Sequence, residues 1–346
     1  MHLHLLWAGT GIMLLLQRST PGYALFVAFA VSASLSAQSQ DGLTGTLVIL
    51  NKGEATATFI DVASGEAVAR LPTGQGPHEL AVTKDGRWAV STDYSGGNSL
   101  TVFDIENVRV DSTIDLSGYG RPHGAFFLQG DTILAVTSEA TSNVVLVNPF
   151  QSEIIGSIGT GAGGSHMVAV TGDGGTLFTG NMAEASVSQL DVASRSHTAT
   201  FSVPGTPEAI TVSQDGSEVW VGSNAEGVVS VVDIEAGRVT SSLSGFDWPY
   251  RILIVPSHDL VVIPDMGRHV VRFIQHSSRT DIETLSLPDE GPQGVVLTPD
   301  QGTLFLSLSI SGQIAVIDLE TRQIVRRIES GATPDGIGWS PLVLTK

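Results

Sequence analysis

A three-residue turn followed by an apolar run recurs seven times in this chain. The copies are Gly76-Pro-His78, Arg121-Pro-His123, Gly164-Ser-His166, Thr206-Pro-Glu208, Trp248-Pro-Tyr250, Gly291-Pro-Gln293 and Thr333-Pro-Asp335. The last-named positions stand 45, 43, 42, 42, 43 and 42 residues apart. A unit of that length cannot bury its own apolar face, so the copies must stack on one another around a shared core.

Within each unit the apolar residues form four short runs rich in β-branched side chains, with turn residues between them. In the fourth unit the runs are 209–212, 218–222, 228–233 and 238–243. Asp-Gly pairs at 85–86, 173–174 and 215–216 join first run to second, where a tight hairpin favours residues that tolerate positive φ. No stretch sustains a helical period, so the chain is all-β.

The seventh unit ends one run into its pattern, at about residue 339, and three unused runs lie at the other end, at 46–50, 56–61 and 67–71. Joining the two ends in one sheet closes a ring and leaves no open sheet edge. The expected fold is a seven-bladed β-propeller of four-stranded antiparallel blades, closed by the N-terminal strands, rather than a sandwich or a solenoid.

The fourth unit, from Thr206-Pro-Glu-Ala-Ile-Thr-Val-Ser-Gln-Asp-Gly through Val-Trp-Val-Gly-Ser-Asn to Val-Ser-Val-Val-Asp, resembles the YVTN-repeat β-propeller family, and the resemblance covers residues 45 to about 341. It implies the propeller fold. It leaves function open, because lactonases, haem-bearing nitrite-reductase domains, amine dehydrogenase subunits and surface-layer proteins share such repeats.

Charge excludes one class of partner. Seventeen Lys+Arg stand against 35 Asp+Glu, a net charge of −18, and no basic run exceeds Arg326-Arg327, so nucleic acid is not a ligand. With no cysteine, disulfides, thiolate metal sites and Cys nucleophiles are excluded together.

Residues 1–37 hold no acidic residue and Arg18 as their only Lys or Arg, with two apolar runs and small residues near Ala33 and Ala37. This is the layout of a signal peptide or an N-terminal anchor. The expected organisation is therefore a leader or anchor at 1–37, a linker at 38–44 and the propeller at 45–346. It places the protein in the periplasm or outside the cell, as a monomer that touches a membrane only through that segment if it is uncleaved.

In a propeller, the loop entering the first strand and the loop after the second open on the same face. Two rings of residues follow. The entry ring is His78, His123, His166, Glu208, Tyr250, Gln293 and Asp335, and the second-strand ends are read as Asn51, Asp93, Glu139, Asn181, Asn224, Asp265 and Ser309. Three successive blades offer His at one position, which predicts a divalent or transition metal ion on His78, His123 and His166, with Glu208 as a carboxylate. Strict strand alternation would instead turn the imidazoles into the grooves between blades.

Lys52, Arg121, Arg251 and Arg268 are the cations of this face, and Tyr94, Tyr119, Phe246, Trp248 and Tyr250 bring aromatic area to its loops. The mouth they form is expected to bind a small molecule or another protein, with Arg121, Tyr94, Asp93, Glu139, Asn181, Asn224, Trp248, Tyr250, Arg251, Asp265 and Arg268 as contacts. The alternative is an enzyme using the same mouth, with the three His as its catalytic groups. It would be a lactonase-like hydrolase or a metal-dependent lyase or oxidoreductase. Noncovalent haem on one of these His is a third class. The Asp residues that close the third strands, such as Asp61 and Asp233, are read as turn-builders.

Overall fold

The computed structural model describes residues 42–344. The leader or anchor expected at 1–37 and most of the linker lie outside them. Twenty-eight strands form seven four-stranded antiparallel sheets, and a single 3-10 turn, Pro256–His258, is the only helix among the described residues. Blades one to six run in chain order over 77–115, 122–159, 165–202, 207–244, 253–286 and 292–329. Blade seven joins Pro334–Ser340 to Thr46–Asn51, Thr56–Asp61 and Ala67–Pro72, with Trp339 opposite Leu47 and Pro334 opposite Asn51.

Alternation decides where the core lies. The second and third strands of each blade are buried on both faces and read as near-continuous apolar runs, such as Leu47–Leu50 and Leu304–Leu306. The fourth strands alternate, as in Arg109–Asp115, because one side faces water. Among the described residues the apolar side chains form seven clusters, one in each gap between adjacent blades. Phe59 and Phe103 meet edge to face between blades seven and one.

The turn-builders behave as expected. Asp61 accepts from Ser64 N at 3.0 Å, Asp233 from Ala236 N at 2.8 Å and Asp318 from Thr321 N at 2.7 Å. At the first hairpins a hydroxyl locks the Asp-Gly turn, Thr83 Oγ1 donating to Asp85 and Ser213 Oγ to Asp215, each at 2.6 Å.

One irregularity positions the site. In blade one Pro77 pairs with Asp93 but Leu80 with Ser91, so the innermost strand carries one extra residue at His78-Glu79. The same shift recurs between Pro122 and Ala125, Ser165 and Val168, Pro207 and Ile210, Pro292 and Val295, and Pro334 and Ile337. A bulge interrupts alternation and re-aims side chains. The backbone N–H groups it frees are taken by threonine hydroxyls of the second strand, Glu79 N donating to Thr92 Oγ1 at 3.0 Å and Gly124 N to Thr137 Oγ1 at 2.8 Å.

Candidate axial histidine site

Because six of the seven entry residues sit on a bulge, their side chains turn toward the propeller axis instead of into the grooves, and Tyr250 of blade five joins them by donating to Asp335. All seven are buried, His123 and Asp335 completely. The expected open mouth is thus a polar layer packed across the axis. The rings of His78 and His123 meet at right angles with centroids 4.2 Å apart, and His123 stacks on His166 at 3.5 Å. One donor atom each from His78, Glu79 and His123 lie within 4.8 Å of one another.

Most entry residues are met by the residue one place beyond the end of a second strand. Lys52 Nζ donates to Asp335 Oδ2 at 2.9 Å and lies 3.2 Å from His78 Nδ1. The Tyr94 hydroxyl donates to Glu139 Oε2 at 2.7 Å, and Glu139 also accepts from His166 Nδ1 at 3.1 Å. Asn224 donates to Glu208, which takes a second bond from Trp248 Nε1 at 2.9 Å. Gln293 lies 3.2 Å from Met266 Sδ. The inner second tier is therefore Lys52, Tyr94, Glu139, Asn224 and Met266.

Of the second ring read from the sequence, Asn51, Asp93, Asn181 and Asp265 end their second strands as expected, and Glu139, Asn224 and Ser309 fall one residue beyond theirs. The first four are fully buried and latch loops from inside the blade. Asn51 Oδ1 accepts from Gly331 N at 3.0 Å, Asp93 from Ser99 Oγ at 2.6 Å, and Asp265 from Trp248 N at 2.8 Å. Asn181 donates to Ser186 and Ser188. Glu139 and Asn224 of that ring meet the entry residues, whereas Ser309 Oγ donates to Gly291 O at 3.0 Å.

The remaining expected contacts divide between surface and axis. Arg121 is half exposed, bonds Tyr94 and Glu139, and lies over the Tyr94 ring. Trp248 and Arg268 are exposed at the rim. Tyr250 is buried and donates to Asp335 at 3.0 Å. Arg251 leaves the rim altogether: its side chain crosses the axis to pair with Glu79, two charged residues that the ring reading did not join.

Burial and neighbours set the charge states. Desolvation pulls His78 down to about 4 against the pull of Asp335, and holds His123 well below the ordinary imidazole value, aided by His166 and His78 beside it. Both rings are neutral at pH 7 and offer lone pairs. Burial pushes Glu139 up, but hydrogen bonds from His166 and Tyr94 and the charges of His166 and Arg121 bring it to about 2. Burial lifts Glu79 to about 7 although Arg251 pulls it down. Asp335 is held far below the carboxylate range, because His78 and Lys52 outweigh its burial.

Asp335 Oδ2 is nearer to His78 Nδ1 than Lys52 is, so Nδ1 donates and Nε2 keeps its lone pair. His166 is held the same way, Nδ1 on Glu139, with Nε2 4.0 Å from Glu208 Oε1. Between them both nitrogens of His123 are buried without a hydrogen-bond partner among the described residues. The structure thus brings the three histidines together; Glu208 stands beside His166, Asp335 holds His78, and Glu79 is the carboxylate grouped with both His78 and His123.

Comparison with known proteins adds the fold family and little else. Residues 119–255 match the family described as YNCE-like beta-propeller, which, with the seven-bladed ring, is consistent with a YVTN-type propeller. Similar solved structures include Kuenenia stuttgartiensis hydrazine synthase, at 19% identity over 79% of this chain and 92% of that one, with a TM-score of 0.69. A functionally unknown protein from Desulfotomaculum acetoxidans DSM 771 is similar at 14% identity over 86% and 99% of the two chains, with a TM-score of 0.72. At those identities the likeness is one of fold. No curated protein gives a significant match.

Proposed function

We propose that this β-propeller binds a transition or divalent metal ion at its axis through His78, His123 and His166, in a protein exported by its N-terminal segment. The observation that carries the reading is His123. A buried imidazole with neither nitrogen paired costs on the order of 1–3 kcal/mol per orphaned group, and a bound ion would satisfy its lone pair. The flanking rings support it: His78 and His166 each give Nδ1–H to a carboxylate, the arrangement that fixes ring orientation and tautomer in histidine metal sites. The charges nearby are largely self-neutralised in the pairs Lys52–Asp335, Arg251–Glu79 and Arg121–Glu139.

Elemental analysis of protein purified without chelator, then loaded with Zn, Mn, Fe or Cu, tests the reading. About one ion per chain, lost in H78A/H123A, is expected. Less than about one-tenth of an ion after loading with every metal would remove it.

A catalytic role for the same centre is the second reading, favoured by Glu79. Its carboxyl, held near 7 within reach of two imidazoles, has the proton affinity a general acid or base needs. Hydrolysis of a panel of lactones and aryl esters by the loaded protein, abolished in E79Q, would support it; turnover unchanged in E79Q would exclude Glu79.

A further inference from the structure

Beyond the bulges the seven innermost strands enclose a cavity of about 340 Å³ on the axis. It lies on the far side of the Glu79–Arg251 pair from the entry ring, and its lining residues run toward the face of the Asp-Gly hairpins, where Phe126 is half exposed. Its depth follows from the residues just after the entry ring, which are Glu79, Gly124, Met167, Ala209, Arg251, Gly294 and Gly336. Four of the seven are Gly or Ala. At Gly336 a Cβ would come within 2.4 Å of His78 O, and at Gly294 within 2.1 Å of Asp335 O, so backbones close in there and space remains at the axis for the Glu79 and Arg251 side chains.

The walls carry apolar side chains, Leu80, Phe126, Ile210, Leu253, Val295 and Ile337 among them, between stretches of polar surface, and the charged side chains Glu79 and Arg251 stand together among the lining. Arg251 donates Nη1 to its neighbour's carbonyl, Tyr250 O, at 2.7 Å and Nη2 to Glu79, which leaves further N–H groups of its fork without a protein carboxylate.

We propose that this chamber is a ligand site for a short aliphatic carboxylic acid, entered from the hairpin face, whose carboxylate pairs with Arg251 while its chain lies against the apolar side chains. A guanidinium fork beside apolar side chains fits a planar carboxylate better than an alcohol or an amine. A volume of this size, at ~30 Å³ per water, displaces about ten waters and suits a molecule of roughly eight to ten heavy atoms. The chamber borders the histidine cluster through Glu79, which lines both, but carboxylate binding at Arg251 does not need the metal.

Titration calorimetry with hexanoate, hexanol and hexylamine tests this on the full chain, both as purified and after EDTA treatment. Saturable one-to-one binding of hexanoate is expected, at a Kd of about 0.1–1 mM, at least tenfold tighter than hexanol and the same with or without chelation. R251Q should weaken it about tenfold or more, and E79Q, which removes the competing carboxylate, should tighten it. Should R251Q fail to fold, F126D at the exposed entrance keeps the test alive and should also weaken hexanoate. Hexanoate no tighter than hexanol, hexanoate unaffected by both R251Q and F126D, or binding seen only before EDTA would each overturn the assignment.

Discussion

His123 pays for two buried nitrogens that nothing in the protein pairs, and that makes its contribution to stability depend on the ligand. In metal-free protein, replacing it by Leu removes the orphaned atoms at similar volume, so H123L should melt at or above wild type, by about 1 kcal/mol in stability. Adding metal should raise the melting temperature of wild type and leave H123L unmoved, because an ion stabilises only the state that binds it. A metal-free H123L destabilised by more than about 2 kcal/mol would mean that the imidazole is already paired. Asp93 gives a second reading at this scale. Its burial lifts it to about 6 despite bonds from Ser99 and Thr101, so between pH 4 and 6 the folded chain holds a proton that the unfolded chain has released. That contribution is fully present below about 4 and lost as pH rises through 6, on the order of 2–3 kcal/mol. D93N, the residue type already present at Asn51 and Asn181, should flatten this slope in denaturant midpoints measured from pH 4 to 7; a slope of unchanged size would assign it elsewhere. The entry ring was legible because its turn recurs, whereas the residues that meet it stand one place beyond the strand ends, which the sequence pattern marks at Asn51, Asp93, Asn181 and Asp265. Where the second strand ends in Ser138, Ser223 or Leu308, the more conspicuous polar residue is the next one, Glu139, Asn224 or Ser309, and the first two of these meet the entry ring instead of latching a loop from inside the blade.

Strand alternation alone left open which way the imidazoles face. The strand pattern of Pro77–Val82 places His78 with Leu80 and Val82, which do pack between blades seven and one, and a regular strand would carry His78 into the same gap. The bulge settles it by spending one residue, and its signature in sequence is only the Pro or Ser before each entry residue, too weak to reveal the register shift. The threonines that hold the bulges are correspondingly consequential. Thr92 accepts from Glu79 N, and Thr137 both accepts from Gly124 N and donates to the carbonyl of His166 in the next blade. T92V strands one N–H and should cost about 1–2 kcal/mol; T137V strands two groups and should cost more, about 2–3 kcal/mol, while also moving His123 against His166. Chemical denaturation ranks the two. Equal losses would show that the blade-to-blade bond of Thr137 adds nothing.

At the scale of the whole molecule, counting strands around the circle anticipated the ring, but the chamber beneath the histidines depends on small differences in side-chain volume at seven positions and left no comparable mark. Closure makes the last strand disproportionately important. Pro334–Ser340 fills the edge of Thr46–Asn51, and Leu342 and Leu344 pack beside Val48 and Leu50. Thr46 Oγ1 donates to Leu342 O at 2.7 Å, and Ser340 Oγ to Gly86 O in blade one at 2.6 Å. The same strand carries Asp335, so losing it would unpair Lys52, His78 and Tyr250 at the axis as well as bare a sheet edge. A chain ending at residue 333 should therefore unfold at lower denaturant with a shallower transition and elute as aggregate. A circular permutant gives the control: new ends in the exposed 235–236 turn and a Gly/Ser linker of about ten residues from 344 to 42 keep every strand. That permutant should match the parent in midpoint and slope, because closure is a matter of hydrogen-bonded neighbours and not of chain order. A truncated chain within about 1 kcal/mol of the full one would show instead that six blades and a three-stranded seventh hold the ring unaided.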